Sequence, residues 1–235
     1  MPKKNVLITG ATSGIGRATA LCFAREGYHV FCHGRSADSD FSIVDDIHAF
    51  GGSAEKKIAD MGKTSEIENL FSGIPSLDAI VLAAGTVSRT KPISPEMFRK
   101  TLEVNLIAPF YCAELAKSKG VTSVVFVGSM RGLSQCATTP DYSASKAGIH
   151  NLTVSLARSY APHCRVNAVA PGFTRTNMHT GMEERLEQER QKTPLQKTIE
   201  PKEIADIIFF LASEKASAIT GQIIIADGGR SFFGQ

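Results

Sequence analysis

Neither sign of charge is in excess. Against 26 Lys and Arg stand 23 Asp and Glu, a formal net charge of +3, whereas a domain that holds nucleic acid usually concentrates basic residues on one face. Nucleic acid is not an expected partner. Long hydrophobic runs are also missing: none is longer than Ile207–Ala212, and crossing a bilayer takes roughly 20 apolar residues. No membrane role is expected. The first apolar stretch stops at Ile8, short of the core of a secretory signal, which makes the cytoplasm the expected location. The five cysteines, Cys22, Cys32, Cys112, Cys136 and Cys164, are scattered and form no C-x-x-C pair. That pattern suits neither a disulfide framework nor a zinc site, so no metal is expected and most of the thiols are read as reduced residues in or near the core. No internal repeat or low-complexity linker interrupts the chain.

What is present is an alternation. The chain has 235 residues, 43% of them hydrophobic, enough for one large domain over 1–235. Apolar runs of strand length take turns with segments of helical period, the pattern of parallel strands joined by crossover helices. The expected strands are Asn5–Thr9, His29–His33, Ser53–Ala59, Ala79–Ala83, Ser123–Val127, Arg165–Ala170 and Gln222–Ile225. The expected helices are Ile15–Glu26, Ile43–Phe50, Ser65–Phe71, Pro95–Ser118, Tyr142–Ala161 and Pro201–Ala212. Together they predict an α/β fold, a doubly wound Rossmann sheet of seven parallel strands with helices on both faces. One stretch breaks the rhythm: Thr174–Thr198 is polar, follows Pro171-Gly172 and holds a short helical pattern at Glu183–Gln191. An insertion beyond the carboxyl end of a strand, where open sheets bind ligands, reads as a substrate lid at about 174–198.

Three places carry chemistry. The first strand runs through Thr9-Gly10-Ala11-Thr12-Ser13-Gly14-Ile15-Gly16 into an amphipathic helix. Gly10 can make a sharp turn, Gly14 leaves room for a pyrophosphate, and Gly16 lets the helix pack close to the strand. A glycine-rich turn without ligand is the plainer alternative. The second strand ends His33-Gly34-Arg35-Ser36, with no carboxylate before Asp38. A ribose with free hydroxyls calls for an acid there and a 2′-phosphate for a guanidinium, so Arg35 and Ser36 favour NADP(H) over NAD(H). Finally, Tyr142 and Lys146 stand four apart on one helix face. Reduction of a ketone needs a proton as charge develops on oxygen, and an ammonium near a phenol is expected to lower the phenol's pKa from about 10.

The order and spacing of these features, with Asp60, Ala84-Gly85, Asn105, Ser129, Asn167-Ala168-Val169-Ala170-Pro171-Gly172 and Ile225-Ala226-Asp227-Gly228-Gly229, resemble the short-chain dehydrogenase/reductase family over nearly the whole chain. The run Pro201–Leu211 and the stretch Ile219-Thr220-Gly221-Gln222 through Gly229 look like the branch that contains 3-oxoacyl-carrier-protein reductases. The resemblance implies a catalytic set of Asn105, Ser129, Tyr142 and Lys146. Among the rival serines Ser134, Ser143 and Ser145, the family spacing selects Ser129 as the hydrogen-bonding partner of the substrate oxygen. Asn105 would prop open a helix so that water connects the lysine to solvent, and a kink at Pro109 is the structural alternative. Asp60 would hold the adenine amino group, although as a bare feature it is equally a turn or cap aspartate.

Backbone around Thr174 and the Thr176 hydroxyl would hold the nicotinamide carboxamide. The implied cofactor-binding set is Thr9, Gly10, Ser13, Gly14, Ile15, Gly16, Arg35, Ser36, Asp60, Met61, Ala84, Gly85, Tyr142, Lys146, Pro171, Gly172, Thr174 and Thr176. Two departures stand out. Ala83 replaces the family's usual asparagine, which removes a brace of the central strands, and Ser13 stands where many NADP-preferring relatives carry a second basic residue. The expected activity is that of an NADPH-dependent carbonyl reductase or alcohol dehydrogenase acting on a small molecule, with a 3-oxoacyl thioester carried on acyl carrier protein as the first substrate guess. Arg131, His163 and Arg175 are among the cations that could meet such a carrier, with a solvated surface charge as the plainer reading of each. The competing class, a dinucleotide sensor or scaffold without turnover, predicts a broken Ser-Tyr-Lys set. A homodimer or homotetramer is expected, with Phe110, Tyr111 and Leu156 facing either a core or a partner.

Overall fold

Val6, Leu7 and Ile8 of the first strand, β1 (Asn5–Thr9), are wholly buried, as strand residues must be when helices cover both faces of a sheet. In the computed structural model, which describes residues 3–88, 91–133, 138–179 and 181–233, β1 is an interior strand of one parallel sheet, beside the middle strand. Its fellow strands are β2 (His29–Gly34), β3 (Ser53–Ile58), β4 (Ala79–Leu82), β5 (Ser123–Val127), β6 (Arg165–Pro171) and β7 (Ile223–Ala226). Their order is β3-β2-β1-β4-β5-β6-β7. The expected doubly wound sheet is therefore what forms. Alternate residues feed two cores: Val6 and Ile8 pack with helices α1 (Gly14–Arg25), α2 (Ser42–Ala49) and α8 (Pro201–Ala212), while Leu7 packs with α3 (Thr64–Ser72), α5 (Ala108–Lys117) and α6 (Pro140–Tyr160).

The expected helix Pro95–Ser118 divides. It forms α4 (Pro95–Leu102), a π-helical turn at Glu103–Ile107, and α5. Pro109 explains the break, since it has no N–H to return to the carbonyl of Asn105 four residues earlier, and the turn widens there. At the other end of the sheet, Asn167 fixes where β7 begins. Its Nδ2 donates to Ile219 O at 2.9 Å and its Oδ1 accepts from Gln222 N–H at 3.0 Å, so Gln222 is held before the strand and not in it. Asp227 then accepts from Gly229 and Ser231 N–H, which starts α9 (Arg230–Phe233). Two of the late motifs thus serve the fold.

The order reverses between β1 and β4. After β1 the chain crosses to one face of the sheet and after β4 to the other, so a crevice opens between their carboxyl ends. The excursion at 174–198 hangs over it. Thr174 bridges Ile199, Arg175 N–H donates to Ile199 O at 2.9 Å, and Arg175 Nε meets Glu200 at 2.9 Å. Both legs are pinched together at the base, and α7 (Glu183–Gln191) forms the overhang. Ser134, Cys136 and Thr180 lie outside the described residues.

Arg165 holds the far end of the sheet to α8. Its guanidinium donates to Leu211 O at 2.7 Å, Ala212 O at 3.2 Å and Ser213 O at 2.9 Å, satisfying the orphan carbonyls at a helix C-terminus with a cation. Arg165→Ala is expected to lower unfolding stability by about 1.5–3 kcal/mol, the range for charge-assisted bonds. A urea midpoint equal to that of the parent protein would show that those carbonyls do not need the arginine.

Candidate active site

The turn after β1 is crowded. Gly10 has φ +70°, and a Cβ there would sit 3.0 Å from the Ala84 Cα. A Cβ on Gly16 would come within 2.1 Å of the Gly10 carbonyl oxygen, so only glycine lets α1 approach β1 this closely. Gly14, at φ +52°, faces the Thr176 side chain across the crevice. The first-turn N–H groups of α1 open on a cavity of about 190 Å³ lined by Gly10, Ser13, Gly14, Ile15, Gly16, Ala84 and Gly85 on one side and by Pro171, Gly172, Thr174 and Thr176 on the other. A cradle of backbone donors at a helix N-terminus, kept clear of side chains, fits the pyrophosphate of a dinucleotide.

Thr9 is not in that cavity. It is buried beneath it, and its Oγ1 accepts from both Ala83 and Ala84 N–H at 3.0 Å. This hydroxyl ties β1 to the end of β4 at the position where Ala83 supplies no side-chain brace. Behind the turn, buried His33 accepts from Gly10 N–H at 3.1 Å through Nδ1 and faces Ala59 O at 2.9 Å through Nε2. Those partners select the neutral tautomer with its proton on Nε2.

At the other end of the cavity stand Ser129, Tyr142 and Lys146. Ser129 follows β5 and receives the Arg131 N–H at 3.2 Å, and its hydroxyl is hydrogen-bonded to the Tyr142 phenol. Lys146 is 5% exposed and donates from Nζ to Val127 O at 2.7 Å. Its Nζ lies 5.7 Å from the centre of the Tyr142 ring. Burial lowers the lysine to about 8. The tyrosine corrects the sequence-based expectation: it moves up from its ordinary value, because burial outweighs the hydrogen bond from Ser129 and the charge of Arg131.

Asn105 works one layer behind. Its Oδ1 accepts from Thr86 N–H at 2.7 Å, and its Nδ2 donates to Thr86 O at 2.8 Å and Ser145 Oγ at 3.2 Å. It pins the loop after β4 to α6, at the centre of the widened π turn. A second cavity of about 450 Å³ adjoins the first and shares Ser129, Tyr142, Gly172 and Met178 with it. Phe173, Met178 and Met182 form its lid side.

A family profile described as Enoyl-(Acyl carrier protein) reductase matches residues 10–231. An uncharacterized oxidoreductase of Thermotoga maritima is 36% identical, with 96% of each chain covered. The 3-oxoacyl-[acyl-carrier-protein] reductase FabG of Rickettsia felis is 35% identical, again with 96% of each covered. The chain belongs to the short-chain dehydrogenase/reductase family. Among solved structures, the angucycline C-6 ketoreductase LanV with bound NADP superposes with a TM-score of 0.91 at 31% identity, covering 97% of this chain and 96% of that one.

In this family member the nucleoside-side candidates lie outside both cavities. Arg35 is exposed at the end of β2, and among the described residues no carboxylate pairs with it. Ser36 N–H donates to Ser39 Oγ at 3.2 Å. Asp60 Oδ1 accepts from Gly62 N–H at 2.9 Å, a local turn contact, and the Met61 side chain is buried in the core. Leu156 is core too, while Phe110 is 40% exposed. Arg175 is engaged by Glu200.

Two histidines had no motif to announce them. One is His33. The other, His150, sits a turn beyond Lys146 at 6% exposure, packed where a Cβ on Gly128 would lie 2.5 Å from its Nε2, and neither ring nitrogen has a hydrogen-bond partner among the described residues.

Burial lowers the pKa of His33 from its ordinary value of 6.5. A base depressed in the fold binds fewer protons there than in the unfolded chain, so its stabilisation is complete above 6.5 and is lost as pH falls below it. Protonated Nδ1 can no longer accept the Gly10 N–H. Unfolding stability is expected to fall below about pH 6.5 in the parent protein and to fall less in His33→Gln, which starts lower. Parallel denaturation curves for the two from pH 7.5 to 5 would contradict this role for His33.

Proposed function

We propose that this short-chain oxidoreductase is an NADP(H)-dependent carbonyl reductase for a small ketone, running in reverse on the secondary alcohol. The observation that carries the reading is the position of Tyr142 and Ser129, which line both the glycine-loop cavity and the outer cavity. A group in either cavity meets the same two hydroxyls. When bound, the nicotinamide cofactor supplies and takes back the hydride. The chain's own residues supply the rest: Ser129 Oγ–H holds the substrate oxygen, and Tyr142 Oη–H delivers the proton that balances the hydride, turning C=O into CH–OH.

Burial moves the Tyr142 phenol up from its ordinary value, so it is protonated at neutral pH and can serve as the general acid of the reduction. Lys146, lowered to about 8, is still mostly ammonium at pH 7. It fixes the end of β5, and its charge stabilises the phenolate left by the transfer until a proton from solvent restores the phenol. Asn105 acts as a positioning residue through Thr86 and Ser145. Gly10, Ser13, Gly14, Ile15 and Gly16 would hold the pyrophosphate, with Ala84, Gly85, Pro171, Gly172, Thr174 and Thr176 around the remaining dinucleotide.

Exposed Arg35, with Ser36 beside it, supports NADP(H) over NAD(H). LanV carries NADP, which is in keeping with that choice. Two relatives bear the names of reductases with carbonyl substrates, and the FabG likeness puts 3-oxoacyl thioesters, with acyl carrier protein as their carrier, on the panel to be assayed. Exposed Ile107 and Phe110 on the α5 side and Val154 on α6 support a homodimer or homotetramer.

The test is NADPH oxidation with a panel of ketones and 3-oxoacyl thioesters. Cofactor binding without turnover of any member would favour a sensor instead. Tyr142→Phe is expected to retain NADPH affinity and lose about 10²-fold or more in kcat, and an active variant would remove Tyr142 from its role. Arg35→Ala is expected to weaken NADPH by about 1.5–3 kcal/mol, the scale of a charged hydrogen bond, and to leave NADH affinity nearly untouched. Equal losses for both cofactors, measured by fluorescence titration, would make Arg35 structural.

A further inference from the structure

The wall of the outer cavity is unbalanced in charge. Lys91, Arg131, Arg185 and Arg230 border it, and among the described residues Glu189 is the one carboxylate that does. That carboxylate is already engaged, with one oxygen 3.4 Å from Arg230 Nε and the other 3.6 Å from Lys192 Nζ. The surplus positive charge faces the space that Tyr142 and Ser129 also face.

Position matters as much as number. Arg131 is two residues from Ser129 and close enough for its charge to act on the Tyr142 phenol. Arg185 comes from α7 on the opposite side, with its guanidinium 5.5 Å from the centre of the Phe173 ring, a stacking contact that limits the orientations of the fork. A neutral acyl chain entering here would strip water from exposed Arg185 without replacing its hydrogen bonds. A carboxylate would replace them, since its two oxygens match a guanidinium fork, and a cleft lined by one sign of charge concentrates the opposite ion.

We infer that the substrate carries a carboxylate, recognised by Arg131 and Arg185 while its carbonyl oxygen meets Tyr142 and Ser129. This rests on the carbonyl-reductase reading above and narrows it to keto acids. Any short keto acid would qualify by chemistry, so the test uses two, acetoacetate and levulinate, each against its own methyl ester.

With the NADPH-loaded enzyme, each acid is expected to exceed its ester in kcat/KM by about 10-fold or more, chiefly through KM, and the preference is expected to shrink as salt rises. Arg185→Gln and Arg131→Gln should each cut the acid-to-ester ratio at least fivefold. Binding of the same four compounds is measured in parallel by their effect on NADPH fluorescence, so that a conclusion does not depend on turnover or on either variant folding. Tighter binding of the acids supports the inference even if no compound is reduced, and in that case it is the reductase reading that fails. Esters, or a neutral 3-oxoacyl thioester, that bind as tightly as the acids or tighter would overturn the carboxylate site and leave the reductase reading standing.

Discussion

A buried ammonium hydrogen-bonded to the carbonyl at the end of a strand organises this molecule. Lys146 is 5% exposed and its Nζ reaches Val127 O at 2.7 Å. A charge moved out of water is costly unless hydrogen-bonded, so the face of α6 that carries it has little freedom in where it docks. Fixing Lys146 against the end of β5 fixes Tyr142 one turn earlier on the same face, opposite Ser129 on the loop that leaves that strand. The lysine thus acts through geometry as well as charge. His150, one turn further along, fits only because Gly128 and Gly132 have no side chains to meet it.

The glycine turn after β1 solves a related problem with opposite means. Where α6 uses a buried cation, this turn uses missing atoms, and its neighbours supply what glycine cannot. Thr9 Oγ1 gathers the N–H groups of Ala83 and Ala84, and His33 takes that of Gly10. The first tie crosses the switch point of the sheet and the second joins β2 to the turn after β1, so the cradle and the strands on either side of it are one hydrogen-bonded unit. The pinched base of the excursion at 174–198 adds the remaining wall, where Met178 and Met182 stand beside charged Arg185 and Glu189.

Much of this was legible in the sequence. Unbroken runs such as Val6-Leu7-Ile8 and Val124-Val125-Phe126 read as strands covered on both faces, and glycines at 10, 14 and 16 between a strand and a helix read as a close helix approach. What escaped was non-local. The direction of the Tyr142 shift depends on how much water the fold removes, and the nearby lysine points to Val127 O. Thr9 reads as a ligand contact until Ala83 and Ala84 are seen against it. The split of one long helix at Glu103–Ile107 needs Pro109 and the pull of Asn105 on Thr86 together. Arg175 looks like a docking cation until Glu200 meets it.

The account stands on a single placement, the substrate oxygen between Tyr142 and Ser129. A crystal structure of the ternary complex with cofactor and a bound ketone or alcohol measures it directly. That oxygen should lie within about 2.6–3.2 Å of both Tyr142 Oη and Ser129 Oγ, the reach of a proton-transferring contact. An oxygen bound away from both hydroxyls, with the phenol still hydrogen-bonded only to Ser129, would contradict it.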